Sequence, residues 1–351
     1  MSVKKEEFGV TENGEQVNAY IVDNGKISFR VIDYGAALVN VVVPDALGRK
    51  ADVALGWDDV HGYEHNHGFM GALVGPSCNR IAGAEFEIDG KEIHLPVNDG
   101  PNNLHTDKEH GLNRRMWKAL PGEDFVMFSI HLDDGDLCLP GNREICVTYS
   151  VLDDDGVQIH YHATSDQKTI FNFTNHSYWN LDGHAAGSIL RTKLQLNCSH
   201  FTPVREGSIP TGEIRAVAGT PFDFTQPKEI GRDIDADDPQ LAITGGYDHN
   251  FCIDGYDGEG TICLAARAQG PVSGRVMEVQ TNTPGVQFYT ANFLNNAGCK
   301  EGRTYGPREA FCLETQFYPD SVHHSNFPQP IFGGDTVYDT ITIYRFPTGK
   351  A

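Results

Sequence analysis

The sequence predicts an all-β protein, one large antiparallel β-sandwich spanning residues 1–351. Three observations carry that expectation. Apolar and polar residues alternate at period 2 in run after run, while no stretch of ten or more residues holds the 3.6-residue period of an amphipathic helix. Gly and Pro number 38 and 18 of 351 residues, about 16% against a background of roughly 12%, which implies many turns. Asn-Gly, Asp-Gly and Gly-Gly pairs punctuate the chain at 13–14, 24–25, 89–90, 99–100, 134–135, 182–183 and 245–246, the chemistry of tight turns between strands.

Taken in order, strands are expected over residues 17–22, 26–32 and 37–43, with Asn24-Gly25 turning the first into the second. Another covers 84–88 and ends at Asp89-Gly90. The clearest unit is a hairpin. Ile145, Val147, Tyr149 and Val151 share one face, as do Val157, Ile159, Tyr161 and Ala163, and Asp153-Asp154-Asp155-Gly156 joins the two runs. Strands follow over 169–174, 261–267, 275–281, 286–291 and 341–346. Helix is confined to short turns near 57–63 and 227–230. No Ser- or Pro-rich tract, charge block or repeat divides the chain, so a single domain is expected.

Lys and Arg total 27 against 48 Asp and Glu, a formal net charge of −21. Such a surface repels phosphate backbones and anionic headgroups, which argues against nucleic acid and membrane partners. No run approaches the 18 or more apolar residues of a membrane span. The opening Met1-Ser2-Val3-Lys4-Lys5-Glu6-Glu7 lacks the apolar stretch of a signal peptide. The expected compartment is therefore the cytoplasm. The eight cysteines form no C-x-x-C pair or zinc-ribbon spacing, and are expected as buried free thiols.

Several segments place polar residues where an apolar run would otherwise continue: Asn79-Arg80, Asn102-Asn103-Leu104-His105, Asn175-His176-Ser177-Tyr178, Asp248-His249-Asn250, Gln287-Phe288-Tyr289 and Glu314-Thr315-Gln316. Fork-shaped Asn, Gln, Arg, Asp and Glu beside aromatic rings suit a neutral polyol. Vicinal hydroxyls take paired hydrogen bonds, and the C–H face of a sugar packs on an aromatic ring. The histidine pairs at 65/67, 160/162 and 323/324 lack a third ligand at metal-binding spacing and read as polar loop or strand faces.

In this order and spacing, Asn79-Arg80-Ile81, Asn103-Leu104-His105, Asn175-His176-Ser177-Tyr178, Asp248-His249-Asn250-Phe251, Pro284-Gly285-Val286-Gln287-Phe288-Tyr289 and Leu313-Glu314-Thr315-Gln316 resemble the aldose 1-epimerases (galactose mutarotases). The resemblance runs from about residue 25 to the C-terminus. It implies a mutarotase-like supersandwich with an open sugar cleft, and neither metal nor organic cofactor. It also implies that Glu314 is the general base and His176 the general acid, with Asn79, Arg80, His105, Tyr178, Asp248 and Gln287 binding substrate. One departure stands out. The family follows Leu-His with two glycines, whereas Leu104-His105 here leads into Thr106-Asp107-Lys108-Glu109-His110.

The implied chemistry interconverts the α- and β-anomers of free hexoses such as galactose and glucose. A base takes the C1 hydroxyl proton, an acid protonates the ring oxygen, the bond to the aldehyde carbon rotates, and reversal closes the other anomer. Two proton-transfer groups suffice, each typically worth ~10²–10⁴-fold. The expected rate profile is a bell whose acid limb belongs to Glu314 and whose alkaline limb belongs to a histidine. Two alternatives stay open: a non-catalytic sugar-binding protein on the same scaffold, and a hexose 6-phosphate mutarotase, for which the motifs offer only Arg80 as a cation. A monomer or homodimer is expected.

Overall fold

Alternating burial is the rule in the strands that build the molecule. The computed structural model describes residues 1–347, so the last four residues of the expected domain lie outside the described part. The strand Arg143–Val151 buries every second side chain and pairs antiparallel with Gly156–Ser165, Val151 opposite Val157. Asp155 takes the left-handed conformation in the connecting turn, with φ 63°, which a short polar side chain tolerates. The expected hairpin is present.

Three sheets make the sandwich. The first five strands, Ser2–Val10, Gln16–Asp23, Ser28–Ile32, Leu38–Pro44 and Lys50–Asp52, form a meander in sequence order. A nine-stranded sheet runs Lys118–Pro121, Phe125–Leu132, Arg143–Val151, Gly156–Ser165, Tyr338–Arg345, Val276–Thr281, Cys263–Gln269, Lys193–Leu196, Lys228–Glu229. A second five-stranded sheet, in the order Arg215–Ala216, His200–Thr202, Asp248–Cys252, Gly285–Tyr289, Cys312–Gln316, carries three of the sequence motifs. One apolar core joins all three. It includes Val22 and Phe29 from the first, Phe128 and Val147 from the second, and Phe251, Phe288 and Leu313 from the third. Tyr20 meets Phe128 edge-on at 6.0 Å between centroids, and Trp179 sits 4.8 Å from Tyr344.

The structure departs from the expected elements at identifiable places. The run over 169–174 splits into Thr169–Ile170 and Thr174–Asn175, which pair with different partners. The break falls at Asn172, whose side chain brackets the Phe317 backbone, accepting its N–H at 2.9 Å and donating to its carbonyl at 3.1 Å. Ser2–Val10 is a strand that charges conceal, since only Phe8 on it is buried. Helix is short, as expected: Val60–Glu64 and Pro239–Thr244 are the α-helices among the described residues. The second was legible but missed, with Asp238 capping its start, Pro239 opening it and Gly245 closing it in the left-handed conformation. All eight cysteines are free, but only five are buried; Cys138 is exposed, and Cys146 and Cys263 are half-buried.

Candidate active site

The edge of the second five-stranded sheet sets the site. Along Cys312–Gln316, Glu314 lies opposite Gln287, and Gln287 in turn lies opposite no one residue but two strands, with Asn250 on its other side. Because strand side chains alternate, Asp248, Asn250, Gln287, Glu314 and Gln316 share one face, while Phe251, Val286, Phe288 and Leu313 enter the apolar core. Both faces are buried, so these strands show none of the polar-out alternation that marks a surface strand. That is why their sequences read as polar clusters rather than as strands.

Two short pairings deliver the rest. Arg80–Ile81 pairs with Asn103–Leu104, which places His105 beside Asn79. The Asn79 amide N–H donates to His105 Nδ1 at 3.0 Å, and the His105 N–H donates to the Asn79 carbonyl at 3.0 Å. Asn79, His105 and Thr106 all adopt left-handed φ, at 59°, 59° and 64°, a concentration of backbone strain of the kind held at functional sites. The departing loop does not displace His105. Thr106 is buried and its hydroxyl both accepts from the Ser77 N–H at 2.9 Å and donates to the Ser77 carbonyl at 3.0 Å. Thr174–Asn175 pairs with Leu73–Val74 and carries His176 to the floor of the cleft.

There, His176 Nε2 and Glu314 Oε2 lie 3.7 Å apart, both side chains almost wholly buried. That Oε2 has no hydrogen-bond partner in the protein. The Cys312 thiol lies 3.6 Å from the other nitrogen of His176, and Tyr178 stacks on the ring at 5.0 Å. The Tyr178 hydroxyl is committed to the Gly68 carbonyl at 2.9 Å. Arg80 donates to Asp99 at 2.9 Å and lies 3.9 Å from Asp248.

Burial governs the proton affinities. It pushes the Glu314 carboxyl well above the usual range, with Asp248 adding to the rise and Arg80 opposing it. It lowers His176 to about 4, and holds His105 well below its ordinary value, helped by His176, Arg80 and Lys108. The expected order of the two limbs is therefore inverted in the free site. Between about pH 4 and the raised Glu314 value, the pair holds one proton, resting on Glu314 rather than on His176. The reason is desolvation, which disfavours carboxylate and imidazolium alike.

Of the eight residues singled out from sequence, Asn79, Arg80, His105, Tyr178, His176, Asp248 and Glu314 line a cleft of about 430 Å³. Gln287 does not. It is 4% exposed and donates to the Asp248 carboxylate at 2.7 Å, which sets it directly beside another of the residues expected to bind substrate. Residues the motifs did not flag also line the cleft. Phe69 lies 4.6 Å from His105, Tyr289 lies 6.3 Å from His176, and Phe293 stands 72% exposed at the rim. Lys108 joins Arg80, so the departing loop supplies a second cation that only its own sequence could have announced.

Such a polar, aromatic-lined cleft around a buried imidazole and carboxyl suits a sugar. A family model for aldose 1-epimerase matches residues 18–345. The chain belongs to the aldose 1-epimerase family. It is 38% identical to bovine (Bos taurus) galactose mutarotase over 99% of each chain, and 34% identical to aldose 1-epimerase of Escherichia coli strain K12, covering 92% of this chain and 93% of that one. Among solved structures, an aldose epimerase homologue from C. elegans superposes with a TM-score of 0.84 at 27% identity, covering 98% and 99% of the two chains. The supersandwich expected of an aldose 1-epimerase is thus the fold observed.

Among the described residues, ligand atoms of His105, His176 and Glu314 lie within 4.8 Å of one another, a spacing that could hold a metal ion. This triad was invisible because its members are 71 and 138 residues apart in sequence. Donor chemistry disfavours a metal there. Since His105 Nδ1 accepts a backbone N–H, the neutral ring carries its proton on Nε2 and offers no free lone pair. EDTA is accordingly expected to leave activity unchanged. Activity lost on chelation and restored by a divalent ion would make the triad a metal centre. The pairs outside the cleft behave as polar faces: His160 and His162 each contact Asp339 at 3.0 Å on an exposed strand surface.

Proposed function

We propose that the chain is a mutarotase, interconverting α- and β-anomers of free hexoses such as galactose and glucose by acid–base ring opening and closure. The observation that carries this reading is the buried His176–Glu314 pair at 3.7 Å, with a carboxylate oxygen that no protein group satisfies. An unpartnered buried oxygen is costly, and a sugar hydroxyl is the group that satisfies it. Glu314 is the base at the C1 hydroxyl and His176 the acid at the ring oxygen. Substrate supplies what burial removes: a hydroxyl donating to Glu314 favours its ionised form, and a ring oxygen accepting from Nε2 favours the imidazolium. The pair's single proton then stands on His176, where ring opening needs it.

Asp248, Arg80 and His105 hold the hydroxyls while the open aldehyde rotates, and Asn79 and Tyr178 fix His105 and His176 in place. A non-catalytic sugar binder has no use for a proton-transfer pair. A phosphorylated substrate is disfavoured because both cations of the cleft are engaged, Arg80 by Asp99 and Asp248 and Lys108 by the Asn98 carbonyl at 2.7 Å. We place the protein in the cytoplasm, where eight unpaired thiols persist, as a single domain over 1–351 and as a monomer or homodimer. Polarimetry on freshly dissolved α-D-galactose tests the activity. Rotation should reach its equilibrium value faster with protein than without it, and an unaltered rate contradicts the proposal.

A further inference from the structure

Gln316, two residues beyond Glu314 on the same strand, is wholly buried. Its side-chain amide is the centre of a directional chain. Asn79 Nδ2 donates to Gln316 Oε1 at 3.3 Å. Gln316 Nε2 donates to Gln287 Oε1 at 3.1 Å, and Gln287 Nε2 donates to Asp248 Oδ1 at 2.7 Å. Gln316 Nε2 also donates to Asn250 Oδ1 at 3.1 Å. The three links from Asn79 through Gln316 and Gln287 all point the same way, towards the Asp248 carboxylate, and the link to Asn250 is a side branch. Flipping any one amide would set NH₂ against NH₂ or oxygen against oxygen at both its neighbours.

From this chain of contacts we infer that Gln316 is a positioning residue for substrate binding: it fixes the orientation of the Gln287 amide, so that Gln287 presents a donor to Asp248 and holds that carboxylate in place for the sugar hydroxyls. The inference rests on the reading of Asp248 as a hydroxyl anchor. The Gln287 amide can turn over at little cost in shape, so its orientation is set by its neighbours: Asp248 accepts on one side, and the Gln316 NH₂ donates on the other. With the acceptor Oε1 occupied by Gln316, only the donor remains for Asp248. Along the line from Asn79 through Gln316 and Gln287 to Asp248, each link has a donor facing an acceptor, the condition under which a buried polar network specifies one arrangement.

The test is a double-mutant cycle on KM and kcat for galactose. Gln316→Glu keeps the shape and replaces the NH₂ with oxygen. Gln287 then turns its own NH₂ to the new carboxylate and its oxygen to Asp248. KM should rise by roughly tenfold or more, the worth of a hydrogen bond to a charged group, while kcat changes by less than about twofold. Gln287→Met should raise KM similarly, and adding Gln316→Glu to it should raise KM no further. Should Gln316→Glu fold poorly, Gln316→Met, which frees the Gln287 amide, should still raise KM severalfold and still add nothing to Gln287→Met. Effects that simply multiply, or a loss confined to kcat, overturn the inference. Asp248→Ala separates it from the reading beneath it. If that variant binds galactose normally, both fall; if it raises KM while the Gln316 variants do not, the inference alone falls.

Discussion

Glu314→Gln is expected to lower kcat for anomer interconversion by roughly 10²–10⁴-fold while leaving hexose binding in place. The amide matches the carboxylate in shape and still offers an oxygen to a sugar hydroxyl, but takes no proton. Folding should not suffer. Glu314 is 3% exposed and its Oε2 is unpartnered, so removing an ionisable group from that position takes away a desolvation penalty. The variant should therefore melt at or above the wild-type temperature. Stopped-assay kinetics and a melting curve together check this, and wild-type turnover in the variant would remove Glu314 from the proton-transfer role.

His176→Asn is expected to cost kcat on a similar scale, whereas His105→Asn should mainly raise KM, by about 3–10-fold for the loss of one neutral hydrogen bond. The pH profile of the wild type carries the sign. With His176 lowered to about 4 and Glu314 raised, kcat/KM should fall at low pH as the pair gains a second proton on the histidine and no base remains. It should fall at high pH as Glu314 loses the single shared proton and no acid remains. Glu314→Gln should then erase the alkaline limb. An alkaline limb that persists in that variant, or a His105→Asn variant with abolished kcat and unchanged KM, would move the acid role to His105.

Much of this was legible in the sequence. Alternation in the runs leading to Arg143–Val151 and Gly156–Ser165 marks strands because one face is apolar and the other is not. That signal fails at Asp248–Cys252 and Cys312–Gln316, where the second face is buried but polar, and it fails at Ser2–Val10, where charges cover a strand with one buried side chain. The site residues were legible as types, and seven of the eight line the cleft. What sequence could not show is depth. Gln287 and Asp248 both sit in polar motifs, but Gln287 is buried and Asp248, to which it donates, is only partly so. Nor could it show the proton affinities of Glu314 and His176, which follow from burial rather than from residue type.

The central claim is that the His176–Glu314 pair opens and closes a hexose ring by moving protons on oxygen alone. Exchange NMR on equilibrated galactose in D₂O tests it most directly, following the anomeric C1–H signals. The account predicts α-to-β exchange accelerated by the wild-type protein, with that acceleration cut by roughly 10²–10⁴-fold in Glu314→Gln, and no deuterium entering at C1 or C2. Exchange no faster than in buffer, or deuterium appearing on carbon, would contradict it.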